Sequence, residues 1–533
     1  METNRFFSKN STGVALLLLI GISVLLMIPP LLYMPGRDQG MFAYAGRLVR
    51  GGSVPFRDFW DTKPPAIYYV YALSEILFGY SVHSIRWLDL FWQVGTAVVL
   101  FWIARRVAKS NGVAVAAGLL YVSAYVSRGW WNSAQPDDFL NLPVSLAVLL
   151  LMRSLDRRGI CLFSFVEGML LGMVFYFRYP MGLMLPVCMA VLLIGRGRNA
   201  RAWGGCVSMV AGFAIVVAWY ALYLYRAGIW GEFLYTELTW TRGYGRVGTT
   251  PHTVLGLLHL GNVFNSHFSF VSLAILALIS YVWAARRGAP GLQVNFIALW
   301  ILAALINLYV QNKFYIYHFA PLVAPLAIGA SSALAFPFRK RYAKPIRGIV
   351  ALMLALAVAI PFFKVNGRYN LYCIKVYKDS ARAVVDRLLK GKALNDYYAN
   401  TWFISDDFSF SADQVVAEYV KNNTGPDDTI FIWGCETSVY YLADRKNASR
   451  FIHNFPFLCD WTPPRFGDEL LSDLNKNKPR LILVLRNDPA WWATGTYEDS
   501  LERLRRYPAL ERFIADNYAF DRGIEDFLIF RRR

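Results

Sequence analysis

Runs of apolar residues recur through the first two thirds of the chain, at about 13–33, 84–104, 112–127, 138–152, 160–177, 181–195, 203–225, 268–285, 292–310, 317–336 and 346–363. A helix needs roughly 20 apolar residues to cross the hydrocarbon core of a bilayer, and a helix satisfies all its own backbone polar groups there. The spacing predicts a polytopic α-helical membrane protein with about 11 transmembrane helices over residues 1–363. The first run follows Arg5 and Lys9, as a signal peptide would. It is too long for one and lacks a small-x-small cleavage site, so it reads as a retained anchor.

Charge divides the chain in two. Only 17% of residues are charged, against about 25% in an ordinary soluble chain. Residues 364–533 hold 49 of the 91 Asp, Glu, Lys and Arg residues. The expected organisation is a membrane domain over 1–363 and a water-soluble α/β domain over 364–533. Within the latter, 412–422 has a helical pattern, 424–428 is a turn, and 429–433 and 480–485 read as buried strands. A helix over about 498–506 and a last strand at 527–530 complete it, with no glycine loop for a phosphate.

The loops set the orientation. With a cytoplasmic N-terminus, the inner loops hold sixteen basic residues, from Arg105 and Arg106 to Lys344 and Arg347, against the single acid Asp156. Basic residues accumulate on the cytoplasmic side, so an odd number of spans leaves the tail outside. The net charge of +19 then reports topology and not a nucleic-acid partner. Six cysteines show no CxxC pair or zinc-type spacing, and Cys435 and Cys459 are the pair that an external tail would allow to join.

Two outer loops are long, 34–83 and 226–267. In the first, 41–50 and 65–79 read as helices lying in the outer interface, where Trp60, Tyr68, Tyr69 and Tyr71 would sit well. A carboxylate such as Asp38, just beyond a membrane helix, can act as base on a substrate from water while the electrophile stays anchored in lipid. Lys63 is followed by Pro64 and Pro65, which restrict the backbone and hold its ammonium toward an anionic headgroup. An acid and a cation at one interface suggest transfer from a lipid phosphate. The same residues also suit plainer roles, Asp38 as a helix cap and Lys63 snorkelling to headgroups. In the second loop Glu232, Glu237, Trp240, Arg242, Tyr244, Arg246 and His252 mix aromatics with charge, which suits sugar stacking or an interfacial helix. Trp130-Trp131-Asn132 and Trp491-Trp492 carry the same two readings.

These residues carry a family resemblance. Asp38-Gln39 with Tyr44-Ala45, the Gly52-x-x-Pro55-x-x-Asp58 element and Lys63-Pro64-Pro65 resemble the polytopic glycosyltransferases of the C superfamily, GT-C. The resemblance is to bacterial relatives of the dolichyl-phosphate-mannose protein mannosyltransferases and of the lipid A aminoarabinose transferase. Phe78-Gly79 with Arg86, Gln135-Pro136-Asp137-Asp138, Lys313-Phe314-Tyr315 with His318, and Trp433-Gly434 with Tyr440-Tyr441-Leu442 agree with it at the level of pattern.

The resemblance implies a GT-C-like fold and transfer of a sugar from a polyprenyl-phosphate donor to an extracytoplasmic acceptor, a protein, a lipid or a polysaccharide. It implies a bacterial plasma-membrane location. Asp38 takes the place of the family's catalytic acid, and Asp137 or Asp138 that of the second-loop acid. Gln39 replaces a glutamate often found there. Lys63 matches the lysine near the lipid phosphate, while Tyr44, Arg178, Tyr179, Lys313 and His318 become substrate contacts. A single displacement with one base would invert the anomeric centre. No cofactor is expected; Asp58, Asp61, Asp137 and Asp138 are the carboxylates that would have to gather a divalent cation, and the membrane body has no Asp-x-Asp. Asp58 and Asp61 otherwise read as solvated loop acids. The competing classes are a transporter or flippase of lipid-linked saccharides, for which no internal repeat is visible, and a cell-envelope assembly factor.

Overall fold

The computed structural model of the chain describes residues 3–155, 160–247, 260–286, 291–335, 382, 389, 404–405, 408–490 and 494–533. The apolar run 346–363, His252, Cys373 and Trp491-Trp492 lie outside the described residues. Helices cover the other ten runs. Among the described residues, six helices are long and apolar enough to cross a membrane: Ser11–Leu31, Ser84–Ala108, Ile160–Phe177, Tyr179–Arg196, Ala200–Arg226 and Leu292–Gln311. Asn111–Val126, Val271–Ala285 and Ile316–Ser331 are apolar but shorter, and Asn141–Ser154 has only 14 residues. The fold is thus mostly helical, with six candidate membrane spans among the described residues.

The chain divides into two compact units, and they do not follow chain order. The first comprises Met1–Tyr33, Arg86–Ala221 and Thr253–Ala381. Its helices close on small residues. A Cβ on Gly168 would come within 1.9 Å of the Met209 carbonyl oxygen, and one on Gly212 within 2.0 Å of the Phe165 carbonyl oxygen. The helices Ile160–Phe177 and Ala200–Arg226 therefore touch backbone to backbone. In lipid, where apolar surface alone drives no association, such contact supplies the packing energy.

The second unit comprises Met34–Ile85, Leu222–His252 and Arg382–Arg533. The loop 34–83 and the part of the second loop up to His252 thus cluster with the tail. The two helices of the first loop, Arg37–Arg50 and Ala66–Phe78, pack on each other, with Gly46 against the backbone of Tyr71 and Ala72. The tail holds a short antiparallel pair, β1 (Ile404–Ser405) and β2 (Phe408–Ser409), and a five-stranded sheet. Its strands are β3 (Thr429–Trp433), β4 (Lys446–Asn447), β5 (Leu481–Leu485), β6 (Tyr518–Ile524) and β7 (Phe527–Arg532). The order is β4-β3-β5-β7-β6; β3 runs parallel to β4 and β5, and β7 antiparallel to β5 and β6. The apolar strands β3 and β5 form its centre, as continuous apolar runs do when both faces are covered. Helix Phe410–Asn423 starts where the Ser409 hydroxyl accepts the Ala412 N–H at 3.3 Å.

The core of this unit corrects the interfacial reading of the loop aromatics. Trp60 and Trp240 meet edge to face at 5.0 Å and are fully buried among Phe431, Trp433, Phe451 and Phe466. Tyr68 and Tyr71 are buried too, and of the four interface candidates only Tyr69 is exposed. The indole N–H groups of Trp60 and Trp240 donate to Thr236 and Thr462 at 3.2 and 2.9 Å, partners inside the fold that a headgroup anchor would not need.

Candidate active site

Asp38 stands in the first turn of helix Arg37–Arg50, where the helix dipole favours an anion. It is not the cap. The helix begins one residue earlier, and the Gln39 side chain accepts the Gly36 N–H at 3.0 Å, so it is Gln39 that closes the turn. The Asp38 carboxylate oxygen Oδ2 lies 3.9 Å from Lys63 Nζ, and both side chains are only partly exposed. The structure brings these two sequence candidates together.

The strip before Lys63 is tightly specified. Phe56 has φ 68°, a left-handed conformation that a bulky residue adopts only when its surroundings enforce it. Here Phe56 N–H donates to the Phe59 carbonyl at 2.7 Å, and Asp58 accepts from Val54 N–H at 2.7 Å and pairs with Arg57 at 2.8 Å. Trp60 N–H then bonds to the Arg450 carbonyl at 2.8 Å. Asp61, read from sequence as a solvated acid, is 3% exposed. It accepts from the Tyr68 hydroxyl at 2.7 Å and from Thr62 N–H at 2.7 Å, and His453 Nε2 lies 3.6 Å away. Burial raises the Asp61 carboxyl, but His453, Lys63 and Tyr68 more than reverse this and hold it below the usual carboxylate range.

Tyr44 has another job than the substrate contact expected of it. Its ring stacks on Tyr440 at 4.9 Å, its hydroxyl accepts the Asn447 N–H at 2.8 Å, and it is 3% exposed. Burial pushes its hydroxyl well above the ordinary tyrosine value. Described residues of the second loop pack within this unit as well. Glu232 pairs with Arg450 at 3.3 Å and Arg465 at 2.9 Å, and Tyr244 stacks on the buried Trp240 at 6.2 Å.

In the helical unit, Arg178 holds Asp137 with Nε 3.0 Å from both carboxylate oxygens and Nη2 2.5 Å from Oδ2. Gln311 Nε2 adds a contact to Asp137 at 3.4 Å. Asp138 turns away to Arg128 at 2.5 Å and accepts the Gln135 N–H at 3.1 Å, so it closes the turn Pro136–Phe139. Of the two adjacent acids, Asp137 is the one joined to other sequence candidates. Asp138 is buried without any exposure and serves the loop. Trp130, read from sequence as either a carbohydrate platform or an interface anchor, is fully buried. Lys313 sits between Asn312 and Phe314, both left-handed at φ 56° and 51°. His318 packs edge-on against Tyr317 at 4.6 Å, and Tyr179 against Phe175 at 5.0 Å.

The four carboxylates considered for a cation each have a different partner: Asp58 with Arg57, Asp61 with His453 and Tyr68, Asp137 with Arg178, and Asp138 with Arg128. Among the described residues no three His, Cys, Asp or Glu side chains gather as metal ligands would. Cys435 and Cys459 are thiols and no disulfide joins them; Cys435 Sγ lies 3.5 Å from Asn454 Oδ1. Sequence reasoning missed His453 and the Arg37–Glu436 pair, 2.7 Å apart. The aromatic neighbours of Asp61, Phe59 and Trp60, were the signal that it would be buried.

Comparison with known proteins bears on this geometry. The model of the dolichyl-phosphate-mannose-protein mannosyltransferase family matches residues 62–221, a stretch that contains Lys63, Asp137, Asp138, Arg178 and Tyr179 and begins after Asp38. ArnT from Cupriavidus metallidurans, solved with undecaprenyl phosphate, superposes with a TM-score of 0.62 at 13% identity, covering 96% of this chain and 97% of that one. The chain has the fold of these transferases. The archaeal oligosaccharyltransferase AglB from Archaeoglobus fulgidus also superposes, with a TM-score of 0.55 at 12% identity over 99% of this chain and 75% of that one. In sequence, an undecaprenyl phosphate-alpha-4-amino-4-deoxy-L-arabinose arabinosyl transferase of Pseudomonas aeruginosa is 26% identical over 302 residues, 56% of this chain and 54% of the relative. A second such transferase, from Pseudomonas fluorescens, is 25% identical over 67% of each chain. The chain spans about half the length of the first of these relatives. A family model over part of the chain, relatives at about a quarter identity and a shared fold all point in the direction of the resemblance read from the sequence.

Proposed function

We propose that this chain is a glycosyltransferase of the bacterial inner membrane that moves a sugar from a polyprenyl-phosphate donor to a hydroxyl of an extracytoplasmic acceptor. The observation that carries the reading is the approach of Asp38 and Lys63 to 3.9 Å, an acid beside a cation. Relatives named for an undecaprenyl-phosphate aminoarabinose donor support the lipid phosphate as the leaving group.

In this reading Asp38 takes the proton of the acceptor hydroxyl as its oxygen attacks the anomeric carbon. The bond from that carbon to the phosphate oxygen breaks, and the lipid phosphate leaves with the electron pair. Lys63 stabilises the charge that develops on the phosphate, an interaction stronger in the transition state than before it. One displacement inverts the anomeric centre. Arg178, held by Asp137, and Lys313 and His318 are further donor contacts. The N-terminus is cytoplasmic, and the second unit, tail and outer loops together, faces outward and selects the acceptor.

The test is transfer by the purified chain in liposomes from polyprenyl phosphates carrying radiolabelled sugars, with free polyprenyl phosphate released in step with labelled acceptor. Movement of the intact donor across the bilayer without cleavage would support the flippase reading instead.

A further inference from the structure

A buried carboxylate needs compensation, and in the second unit Asp61 receives it from the tail. Asp61 is 3% exposed and His453 4%. His453 Nε2 is 3.6 Å from Asp61 Oδ1, within ion-pair reach and beyond the limit of a direct hydrogen bond. Neither ring nitrogen has a hydrogen-bond partner among the described residues, and Asp61 is the carboxylate beside the imidazole. The ring is fixed by packing, edge-on to Trp60 at 5.9 Å and against Phe455 at 6.0 Å. Trp60 is itself bound to the tail through the Arg450 carbonyl.

What Asp61 holds is the approach to Lys63. Its carboxylate accepts the Thr62 N–H at 2.7 Å, fixing the 61–62 peptide, one unit ahead of the peptide that enters Lys63. The Tyr68 hydroxyl lies 2.7 Å from Asp61 Oδ2 and 3.1 Å from the Lys63 carbonyl, so one hydroxyl ties both to the helix Ala66–Phe78. The 61–62 peptide and the Lys63 carbonyl are thereby tied to one carboxylate and one hydroxyl, and that carboxylate lies beside His453 of the tail.

We propose that His453 is a positioning residue for Lys63: by compensating the buried Asp61 it fixes the 61–63 backbone and keeps the lysine ammonium beside Asp38. The inference rests on the reading of Lys63 as the contact to the donor phosphate. It gives the soluble tail a part in the chemistry besides acceptor choice. A misplacement of the order of 1 Å in a binding group is enough to cost one to two orders of magnitude.

The experiment measures the affinity of the full chain in nanodiscs for undecaprenyl phosphate, with thermal stability followed on the same samples. His453→Ala is expected to weaken binding about tenfold. His453→Gln, which keeps an N–H within reach of Asp61, is expected to restore most of it. In a Lys63→Ala background, His453→Ala should cause no further loss, because its effect runs through the lysine. Should His453→Ala fail to fold, Asp61→Asn takes its place, removing the charge while keeping the shape, with the same expected loss and the same comparison. Wild-type affinity in His453→Ala, or losses that multiply in the double variant, would overturn the inference and leave the donor reading standing. Failure of the wild-type chain to bind undecaprenyl phosphate at all would overturn the donor reading, and this inference with it.

Discussion

Arg178 grips Asp137 through both carboxylate oxygens, at 3.0 Å from Nε and 2.5 Å from Nη2, with Asp137 fully buried and Arg178 nearly so. The planar guanidinium matches the carboxylate fork, which an ammonium cannot do. Removing the arginine leaves a buried charge uncompensated, at a cost of about 3–5 kcal/mol. Arg178→Ala is expected to lower the melting temperature of the detergent-solubilised protein strongly, and Arg178→Lys to recover little of it. Equal melting temperatures for Arg178→Lys and wild type would show that the fork geometry is unimportant.

Gly46 lets the helices Arg37–Arg50 and Ala66–Phe78 approach closely. A Cβ there would lie 2.7 Å from Tyr71 Cβ and 2.8 Å from the Ala72 nitrogen, and backbone cannot step aside as a flexible side chain can. Gly46→Ala is expected to destabilise by about 1–3 kcal/mol through overpacking. Because one of these helices carries Asp38 and the other follows Lys63, transfer should fall along with stability. Chemical denaturation and turnover of the same preparation read both.

Asp488 gives the tail a pH signature. Burial pushes its carboxyl from 3.8 up to about 6, although the Ser500 hydroxyl and N–H donate to it at 2.6 and 2.8 Å. A raised carboxyl pKa means that the folded state holds the proton longer than the unfolded chain does. The destabilisation is absent below about pH 4, grows between about pH 4 and 6, and stays constant above, reaching about 3 kcal/mol. Relative to Asp488→Asn, the wild-type melting temperature is expected to fall as pH rises through that window. Parallel curves would refute the shift.

The helical body was legible because a membrane span writes itself in composition. The run read at 160–177 is the helix Ile160–Phe177, and that at 292–310 is Leu292–Gln311. The strands at 429–433 and 481–485 were legible for the same reason, as apolar runs too short for a span. The candidate pair Asp38 and Lys63 was visible because both flank helix-breaking residues at a loop mouth. What the sequence could not tell is which solvent an aromatic faces. Trp60 and Trp240 have the composition of an interfacial belt, but they sit in the core of a unit whose other part is the tail from residue 382 onward. Tyr44 was misread for that reason, since its partner Tyr440 is remote in sequence. Gly168 and Gly172, four residues apart in an apolar run, were a readable packing signal that the charge-centred reading passed over.

The central claim is that Asp38 is the base that activates the acceptor. The most direct measurement is the single-turnover rate of sugar transfer from a polyprenyl-phosphate donor by Asp38→Asn at saturating donor, beside its affinity for undecaprenyl phosphate. The account predicts near-wild-type affinity with a rate lower by about 10²-fold or more. Transfer at close to the wild-type rate would contradict it.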